Sequence, residues 1–507
     1  MTSHGRWFNC NLLLIAICLV LSLRAQAEVT LPSLLADHMV VQRGLPVHVW
    51  GMAAPGEAVW VSFRNESRTA TADELGRWSV YLPSGEAGGP FSMTIKGVNV
   101  ITLTDVLVGD VWVASGQSNM EFPLSGAANA EAEIAAAKYP RIRLFHVKRK
   151  ASDYPLANVA DAETWVACSP ETVEKFSAIG YFFARDLQQK IGVPIGVIES
   201  SWGGTTAEAW TSLGALSADA SLMPAFAARA RMVQDQATTV LRLEKEEREF
   251  KQASAQAKAE GKPEPPPLPW HPDFDSWGPA ALYNGMIAPL TPFAIRGVIW
   301  YQGESNAGPE RASWYARVLE TLIGDWRRAW GQGDFPFLIV QIANWNADPE
   351  SQWPVVRDAQ RQALTLKNTG LVVTIDIGDA VDIHPKNKQD VGLRLALAAR
   401  AIAYGEKIEY SGPLNRQLTN EDHALRIWFD HAASGLVVRG DELKGFEIAG
   451  ADRKFSPAQA KIEGSSIVVS SSDVPAPVFV RYGWAANPNC NLYNREGLPA
   501  SPFQASH

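Results

Sequence analysis

The sequence has few cysteines and no pattern that would hold a structural metal. Only four cysteines occur among 507 residues, and Cys10 and Cys18 lie in an apolar N-terminal segment. The other two, Cys168 and Cys490, could form one bridge in an oxidising compartment, but one bridge cannot be the framework of so large a fold. Because no Cys-x-x-Cys or Cys/His cluster is present, we expect no metal site.

Long apolar runs are also absent, which argues against a membrane span. The N-terminal run "NLLLIAICLVLSL" covers residues 11–23, and a transmembrane helix needs about 20 apolar residues. Arg6 precedes this run and "AQA" follows it at 25–27, the pattern of a secretory signal peptide. We therefore expect residues 1–27 to be a signal peptide and the mature protein to be periplasmic or extracellular, without a membrane anchor.

The chain has fewer basic than acidic residues. The chain has 46 Lys and Arg against 54 Asp and Glu, a formal charge of −8, which becomes −10 when Arg6 and Arg24 leave with the signal peptide. A negative protein is repelled by polyanions. We therefore expect neither nucleic acid nor an anionic membrane as a partner.

The chain is long enough for several domains, since a single hydrophobic core stops growing at about 250–300 residues. Short alternating strands with Pro/Gly turns predict a β-sandwich at 28–105 and a second all-β unit at 407–507. Between them, residues 106–406 alternate apolar strands with amphipathic helices, which is typical of an α/β domain with a parallel sheet. A charged helical insertion at about 213–275 contains the stiff proline-rich stretch "PEPPPLPWHP".

Functional groups in an open parallel sheet collect in loops at the carboxyl ends of the strands. Four such loops are rich in small and polar residues, namely "GQSNM" (116–120), "SSWGGTTAEAW" (200–210), "YQGESNA" (301–307) and "DIGDAVDIHPKNK" (376–388). A serine esterase needs a serine on a tight turn, a histidine base and donors for the oxyanion. The four loops supply these residue types.

Two of the loops contain Gly-x-Ser-Asn, around Ser118 and Ser305, so either serine is a candidate nucleophile. The chain contains no G-x-S-x-G pentapeptide, which argues against the usual α/β-hydrolase elbow. Within the α/β domain, the histidines are His146, His271 and His384. His384 alone ends a predicted strand loop, beside Asp379 and Asp382, and is the candidate base. The aspartate spacing in that loop does not match a calcium loop.

The order of these motifs resembles that of SGNH hydrolases. More specifically, "GQSNM", "SWGGTTAEAW", "WYQGES", "DIHPKNK" with "GLRLA", and the tail "YGWAANPNCNLYNREGLPASPF" are similar to the sialate O-acetylesterase family of carbohydrate esterases, over nearly all of the mature chain. The resemblance implies an SGNH-like parallel-sheet α/β domain with flanking N-terminal and C-terminal all-β units. It also implies an O-acetylated sugar substrate and no cofactor.

The resemblance assigns roles to particular residues. It makes Ser118 the nucleophile and His384 the general base. It places oxyanion donors at the backbone N–H of Ser118, at a backbone N–H of the Gly203-Gly204 turn, with Gly204 preferred over Gly203, and at a side-chain amide, with Gln302 the first choice and Asn306 the second.

The orienting carboxylate departs from the pattern of many SGNH enzymes, which carry Asp three residues before the histidine. That position is Val381 here. We take Asp382 as the orienting residue, with Asp379 or a Ser–His dyad as alternatives.

The sequence predicts more than one candidate substrate. Sialic acid is implied by the family name, while acetylated xylan or another plant polysaccharide is an alternative, and a non-catalytic carbohydrate-binding protein is an alternative of another class. An indole face can cover the C–H face of a sugar. Four of the 18 tryptophans border the candidate loops, namely Trp202, Trp210, Trp300 and Trp345.

Overall fold

The computed structural model of the chain describes residues 28–160, 164–268 and 270–507. The predicted signal peptide at 1–27 lies outside the described residues. Over the described ranges, none of the helices combines the length and the hydrophobicity needed to cross a bilayer.

The N-terminal β unit consists of short strands with one face buried. In Arg77–Leu82, for example, exposed and buried side chains alternate at every position, as expected for a strand that packs one face on a core. The strands are β1 (Val40–Gln42), β2 (Val47–Met52), β3 (Ala58–Phe63), β4 (Glu66–Thr71), β5 (Arg77–Leu82), β6 (Gly88–Lys96) and β7 (Val100–Gly116).

Strand β7 joins this unit to the central sheet. Its first part pairs antiparallel with β6, and its last seven residues pair in parallel with a strand at 195–201. The predicted domain boundary at 105/106 therefore falls inside one continuous strand. A single hydrophobic core extends through both regions.

The central sheet is parallel except at one edge. Its further strands are β8 (Tyr139–His146), β9 (Val166–Cys168), β10 (Ile195–Ser201), β11 (Gly297–Tyr301), β12 (Phe337–Val340) and β13 (Thr369–Val372). The order is β13-β12-β11-β7-β10-β8-β9, with β9 antiparallel to β8. Strands β10 to β13 are buried at every position, because helices cover both faces of the sheet. The predicted α/β class with flanking all-β units is confirmed.

Ten helices are named for the described residues. They are α1 (Ser118–Glu121), α2 (Ala130–Ala136), α3 (Pro170–Val173), α4 (Ala178–Ile191), α5 (Leu213–Ser217), α6 (Met223–Gln234), α7 (Gln236–Ala259), α8 (Pro309–Trp330), α9 (Trp353–Gln362) and α10 (Gln389–Ile402). Helices α5 to α7 lie within the predicted insertion. Helix α7 has no buried residue, so it extends from the domain as a solvated helix.

The C-terminal β unit has its own core. Its strands are β14 (Leu414–Glu421), β15 (Ala424–Asp430), β16 (Leu436–Val438), β17 (Phe446–Ala449), β18 (Ser456–Pro457), β19 (Gln459–Glu463), β20 (Ser466–Ser470), β21 (Phe479–Tyr482), β22 (Leu492–Asn494) and β23 (Phe503–Ser506). The fully buried Arg357 of α9 ties this unit to the central domain, because its guanidinium donates to the carbonyl oxygens of Ala343 and Ala486 at 2.8 Å each. Cys168 and Cys490 are both free thiols.

Candidate active site

The four predicted loops meet at the carboxyl edge of the central sheet. Strand β7, which leads to Ser118, lies between β11 and β10, which lead to the loops at 301–307 and 200–210. The loop at 376–388 follows β13 and reaches across this edge to Ser118. Parallel strands end on the same side of a sheet, so residues almost 270 positions apart become neighbours.

The turn that carries Ser118 requires a glycine before it. Gly116 has φ +137°, and a Cβ there would lie 2.1 Å from the carbonyl oxygen of Tyr301. The Gln117 N–H donates to the same oxygen at 2.9 Å. Only glycine allows the two strand backbones to approach this closely, and the chain can then turn so that Ser118 begins α1.

Ser118 and His384 are in direct contact. The Nε2 atom of His384 lies 2.8 Å from Ser118 Oγ, and the imidazole packs near the Phe122 ring, with centroids 6.3 Å apart. Burial is the main factor that lowers the pKa of His384 below its ordinary value of 6.5, and the charge of Lys388 lowers it further, while Asp382 raises it. The imidazole is therefore neutral near pH 7 and can accept the serine proton.

Of the aspartates in the loop at 376–388, Asp382 approaches the imidazole. Its Oδ1 lies 3.6 Å from His384 Nδ1 and accepts the backbone N–H of His384 at 2.8 Å. Its side chain is 48% exposed, so solvent screens its charge. Asp379 instead accepts the backbone N–H groups of Val381 and Asp382, and Asp376 pairs with Arg394 at 2.7 Å.

Two backbone N–H groups are available to an oxyanion. The Gly203 N–H donates to Glu121 at 2.8 Å, whereas the N–H groups of Ser118 and Gly204 have no acceptor within the described residues. Gly204 has φ +74°, a conformation that favours glycine. The hydrogen bond of Gly203 therefore distinguishes the two glycines of this turn, which the sequence alone separated only weakly.

The two expected side-chain donors are engaged elsewhere. Gln302 Nε2 donates to Thr205 O at 3.0 Å and to Asn306 Oδ1 at 2.7 Å. Asn306 Nδ2 donates to Glu208 at 3.0 Å, and its Oδ1 also accepts the Ala207 N–H at 2.9 Å. Both side chains are completely buried and support the segment after the Gly203-Gly204 turn, so the structure does not bring either amide into the site as a donor.

Gln117 was missed by sequence reasoning although it precedes the nucleophile candidate. Its Oε1 accepts the N–H groups of Gly303 at 3.4 Å and Ser305 at 3.3 Å. Gln117 is one of the residues that line the cavity above Ser118, and its amide nitrogen has no acceptor in the described part of the chain. The signal that could have identified it is its position in "GQSN", between strand and helix.

A buried polar network behind Ser118 was also missed. Lys388 Nζ donates to Asn119 Oδ1 at 2.6 Å, and Asn119 Nδ2 donates to Glu304 at 2.8 Å and to the Ile383 carbonyl at 3.0 Å. Burial lowers the pKa of Lys388 to about 7 and raises the pKa of Glu304. The network joins three of the four loops, and Lys388, the second lysine of "HPKNK", gave no sequence signal for it.

A cavity of about 910 Å³ opens above the Ser118–His384 pair, and Gly204, Glu304 and Arg149 also line it. Of the four tryptophans considered from the sequence, Trp345 lines this cavity. Trp210 and Trp300 are fully buried and pack edge to face, with ring centroids 6.1 Å apart, so they belong to the core. Trp270, from the proline-rich stretch, lines the cavity and was not anticipated. The described residues contain no group of three His, Cys, Asp or Glu side chains that could hold a metal ion.

Comparisons with known proteins show which family the chain resembles. The family model for "Carbohydrate esterase, sialic acid-specific acetylesterase" matches residues 270–402. The sialate O-acetylesterase of Mus musculus is 31% identical, and the alignment covers 100% of this chain and 99% of the mouse protein. That of Homo sapiens is 30% identical over 90% of this chain and 88% of the human protein.

A solved structure is similar as well. The crystal structure of a carbohydrate acetylesterase from Xanthomonas citri has a TM-score of 0.81 and 40% sequence identity, covering 94% of this chain and 100% of that protein. The chain therefore belongs to the sialate O-acetylesterase family of carbohydrate esterases and is a carboxylic ester hydrolase.

Proposed function

We propose that this esterase is exported and removes O-acetyl groups from sialic acids, with Ser118 as nucleophile and His384 as general base. The observation that carries the proposal is the 2.8 Å contact between His384 Nε2 and Ser118 Oγ. A neutral imidazole at this distance can take the hydroxyl proton as the oxygen attacks. The non-catalytic alternative gives no reason for this pairing beneath a cavity.

The reaction follows from these positions. Ser118 Oγ attacks the acetyl carbonyl carbon while its proton passes to His384 Nε2. The resulting oxyanion accepts hydrogen bonds from the N–H groups of Ser118 and Gly204. The bond to the sugar oxygen then breaks, and His384 returns the proton to that oxygen. Water, deprotonated by His384, attacks the acetyl-enzyme, acetate leaves, and Ser118 regains its proton.

A third donor and an orienting group complete the proposal. We assign the third donor to the Gln117 amide rather than to Gln302 or Asn306, because the amide hydrogens of Gln302 already have acceptors inside the fold and Asn306 donates to buried Glu208. Asp382 favours the protonated form of His384 that arises during attack, although at 3.6 Å and half-exposed it acts more weakly than a buried triad carboxylate.

Sialic acid as substrate is supported by the description of the family model and by the names of the mouse and human relatives. Acetylated neutral polysaccharide is the second candidate, because the 40% identical Xanthomonas protein is described only as a carbohydrate acetylesterase. Export rests on the pattern of residues 1–27. N-terminal sequencing of the protein recovered outside the cytoplasm should begin near Glu28.

The experiment measures acetate released from O-acetylated sialic acid and from acetylated xylan by the full-length protein and by Ser118→Ala. We expect the higher kcat/KM on the sialic acid and loss of release from both substrates in the variant. Faster release from xylan would make acetylated xylan the preferred substrate and would leave the proposed mechanism unchanged. Release by the variant at the wild-type rate would exclude Ser118 as the nucleophile.

A further inference from the structure

The cavity above Ser118 is much larger than the group that is transferred. Its volume is about 910 Å³, in the range of roughly 300–1,000 Å³ typical of cavities for drug-sized ligands. An acetyl group fills only a small part of such a space. The remainder is therefore available to the alcohol half of the ester, which in this family is a sugar.

One wall of this space carries an unusually exposed tryptophan. Trp270 is 64% exposed, yet its ring lies directly against Gly204, where a Cβ would be 2.6 Å from Cζ2. The neighbouring Trp277, with ring centroids 5.9 Å apart, donates its indole N–H to the Gly204 carbonyl at 2.6 Å. The exposed ring thus lies beside the proposed oxyanion donor.

The chain that delivers Trp270 is stiff. Residues 263–268 read "PEPPPL", and proline fixes φ near −65°, so such a stretch loses little conformational entropy when it is ordered. Although the Trp270 ring contacts Gly204 and Trp277, most of its apolar surface stays in water in the free protein. That arrangement is favourable when a ligand covers the ring.

A second indole, that of Trp345, lies on the other side of the site. Trp345 follows β12, and Trp270 contacts the turn after β10, while Ser118 follows β7, which lies between these strands in the sheet. Trp345 packs on Trp353 with ring centroids 5.5 Å apart, and the Trp353 indole donates to the Ala343 carbonyl at 2.8 Å. Both indoles line the same cavity as Ser118.

We infer that Trp270 and Trp345 form the subsite for the leaving sugar, holding one pyranose ring by its C–H faces while its acetyl ester faces Ser118. This inference rests on the proposed function and adds to it the residues that bind the alcohol half. Indole faces suit such a ring because its axial C–H bonds form apolar patches between the hydroxyls. Sialic acid and xylose both offer such faces, so the subsite serves either substrate candidate.

The test compares esters that differ in the alcohol half. Trp270→Ala and Trp345→Ala are assayed on O-acetylated sialic acid, on acetylated xylan and on ethyl acetate, whose small alcohol cannot span the subsite. For the preferred carbohydrate we expect KM to rise about tenfold with kcat nearly unchanged, and kcat/KM on ethyl acetate to change less than about twofold. Trp270→Phe should recover most of the loss, since an aromatic face remains.

Trp60→Ala is the matched control, because Trp60 is also an exposed tryptophan, at 38%, but lies in β3 of the N-terminal unit. It should leave every parameter unchanged. Equal losses on ethyl acetate and on the carbohydrates would show a structural role and overturn the subsite. An unchanged KM for a carbohydrate that the wild type hydrolyses would overturn the subsite alone. Failure of the wild type to hydrolyse either carbohydrate would overturn the proposed function, and the subsite with it.

Discussion

The two Gly-x-Ser-Asn turns have nearly the same sequence but make different contacts. In "GQSN", Ser118 begins a helix and its hydroxyl contacts His384. In "GESN", the backbone N–H of Ser305 contacts the Gln117 side chain, while His384 Nε2 faces Ser118. The first turn presents the hydroxyl of the proposed nucleophile, and the second presents main-chain donors that bind the Gln117 side chain. Local sequence similarity therefore does not determine the role of a turn, because the position of the preceding strand in the sheet determines which residues the turn contacts.

The two asparagines of these turns extend the contrast. Asn119 is bonded to Lys388 and Glu304 behind the site, whereas Asn306 is bonded to Gln302 and Glu208 beneath the glycine turn. Both are buried. Each asparagine supports a different part of the site, one the loop of the proposed nucleophile and the other the Gly203-Gly204 turn.

The largest expected effect distinguishes the two serines. Ser118→Ala should lower kcat by about a thousandfold or more, since no other group can form the acetyl-enzyme. Ser305→Ala should keep kcat within about threefold, because its backbone N–H, and not its hydroxyl, contacts Gln117. Acetate release by both purified variants gives the comparison. Loss in Ser305→Ala with activity in Ser118→Ala would reverse the assignment.

An intermediate effect is expected for Lys388, which supports Asn119 of the first turn. His384 must be neutral to act, so kcat/KM rises with pH through the pKa of His384, which is lowered from 6.5. Lys388 is protonated below its own pKa of about 7. Lys388→Met removes this charge, so the pKa of His384 should rise and the acidic limb of the profile should move to higher pH.

At pH above the pKa of Lys388, the charge difference between wild type and Lys388→Met disappears. If a loss of about tenfold in kcat/KM remains at this high pH, its cause is the misplaced Asn119 side chain. Lys386→Met is the control, since Lys386 is exposed in the same loop. An acidic limb that stays in place or moves to lower pH would contradict the proposed influence of Lys388.

A small effect on kcat is expected for Gln302, in contrast to Gln117. Gln302→Leu leaves the Thr205 carbonyl without its donor, so the free energy of unfolding should fall by about 1–3 kcal/mol, while kcat falls less than tenfold. Gln117→Leu should lower kcat by about a hundredfold. Urea unfolding and acetate release measure the two quantities. A hundredfold loss in a folded Gln302→Leu would restore Gln302 as the oxyanion donor.

Much of the fold was predictable because it depends on short-range pattern. The apolar residues at the start of β10 and throughout β11 predicted a buried parallel sheet. The alternation in β5 predicted a β-sandwich strand with one face exposed. The boundary between the two was less predictable. A strand as long as β7 can leave one sheet and enter another without any break in its sequence, so the position 105/106 had no local signal.

The sequence by itself indicated which loops approach each other, because parallel strands bring their carboxyl ends together, and it singled out His384, because few histidines were available. The choice of Ser118 over Ser305 rested on the resemblance to the family. Only the tertiary structure decided which side-chain amides have no hydrogen-bond acceptor within the described part of the fold. The amide hydrogens of Gln302 have acceptors within the fold, while Gln117, Trp270 and Lys388 face the site or support it. A polar side chain bonds to whatever lies nearest in space, and here those partners are between 4 and 269 residues away along the chain.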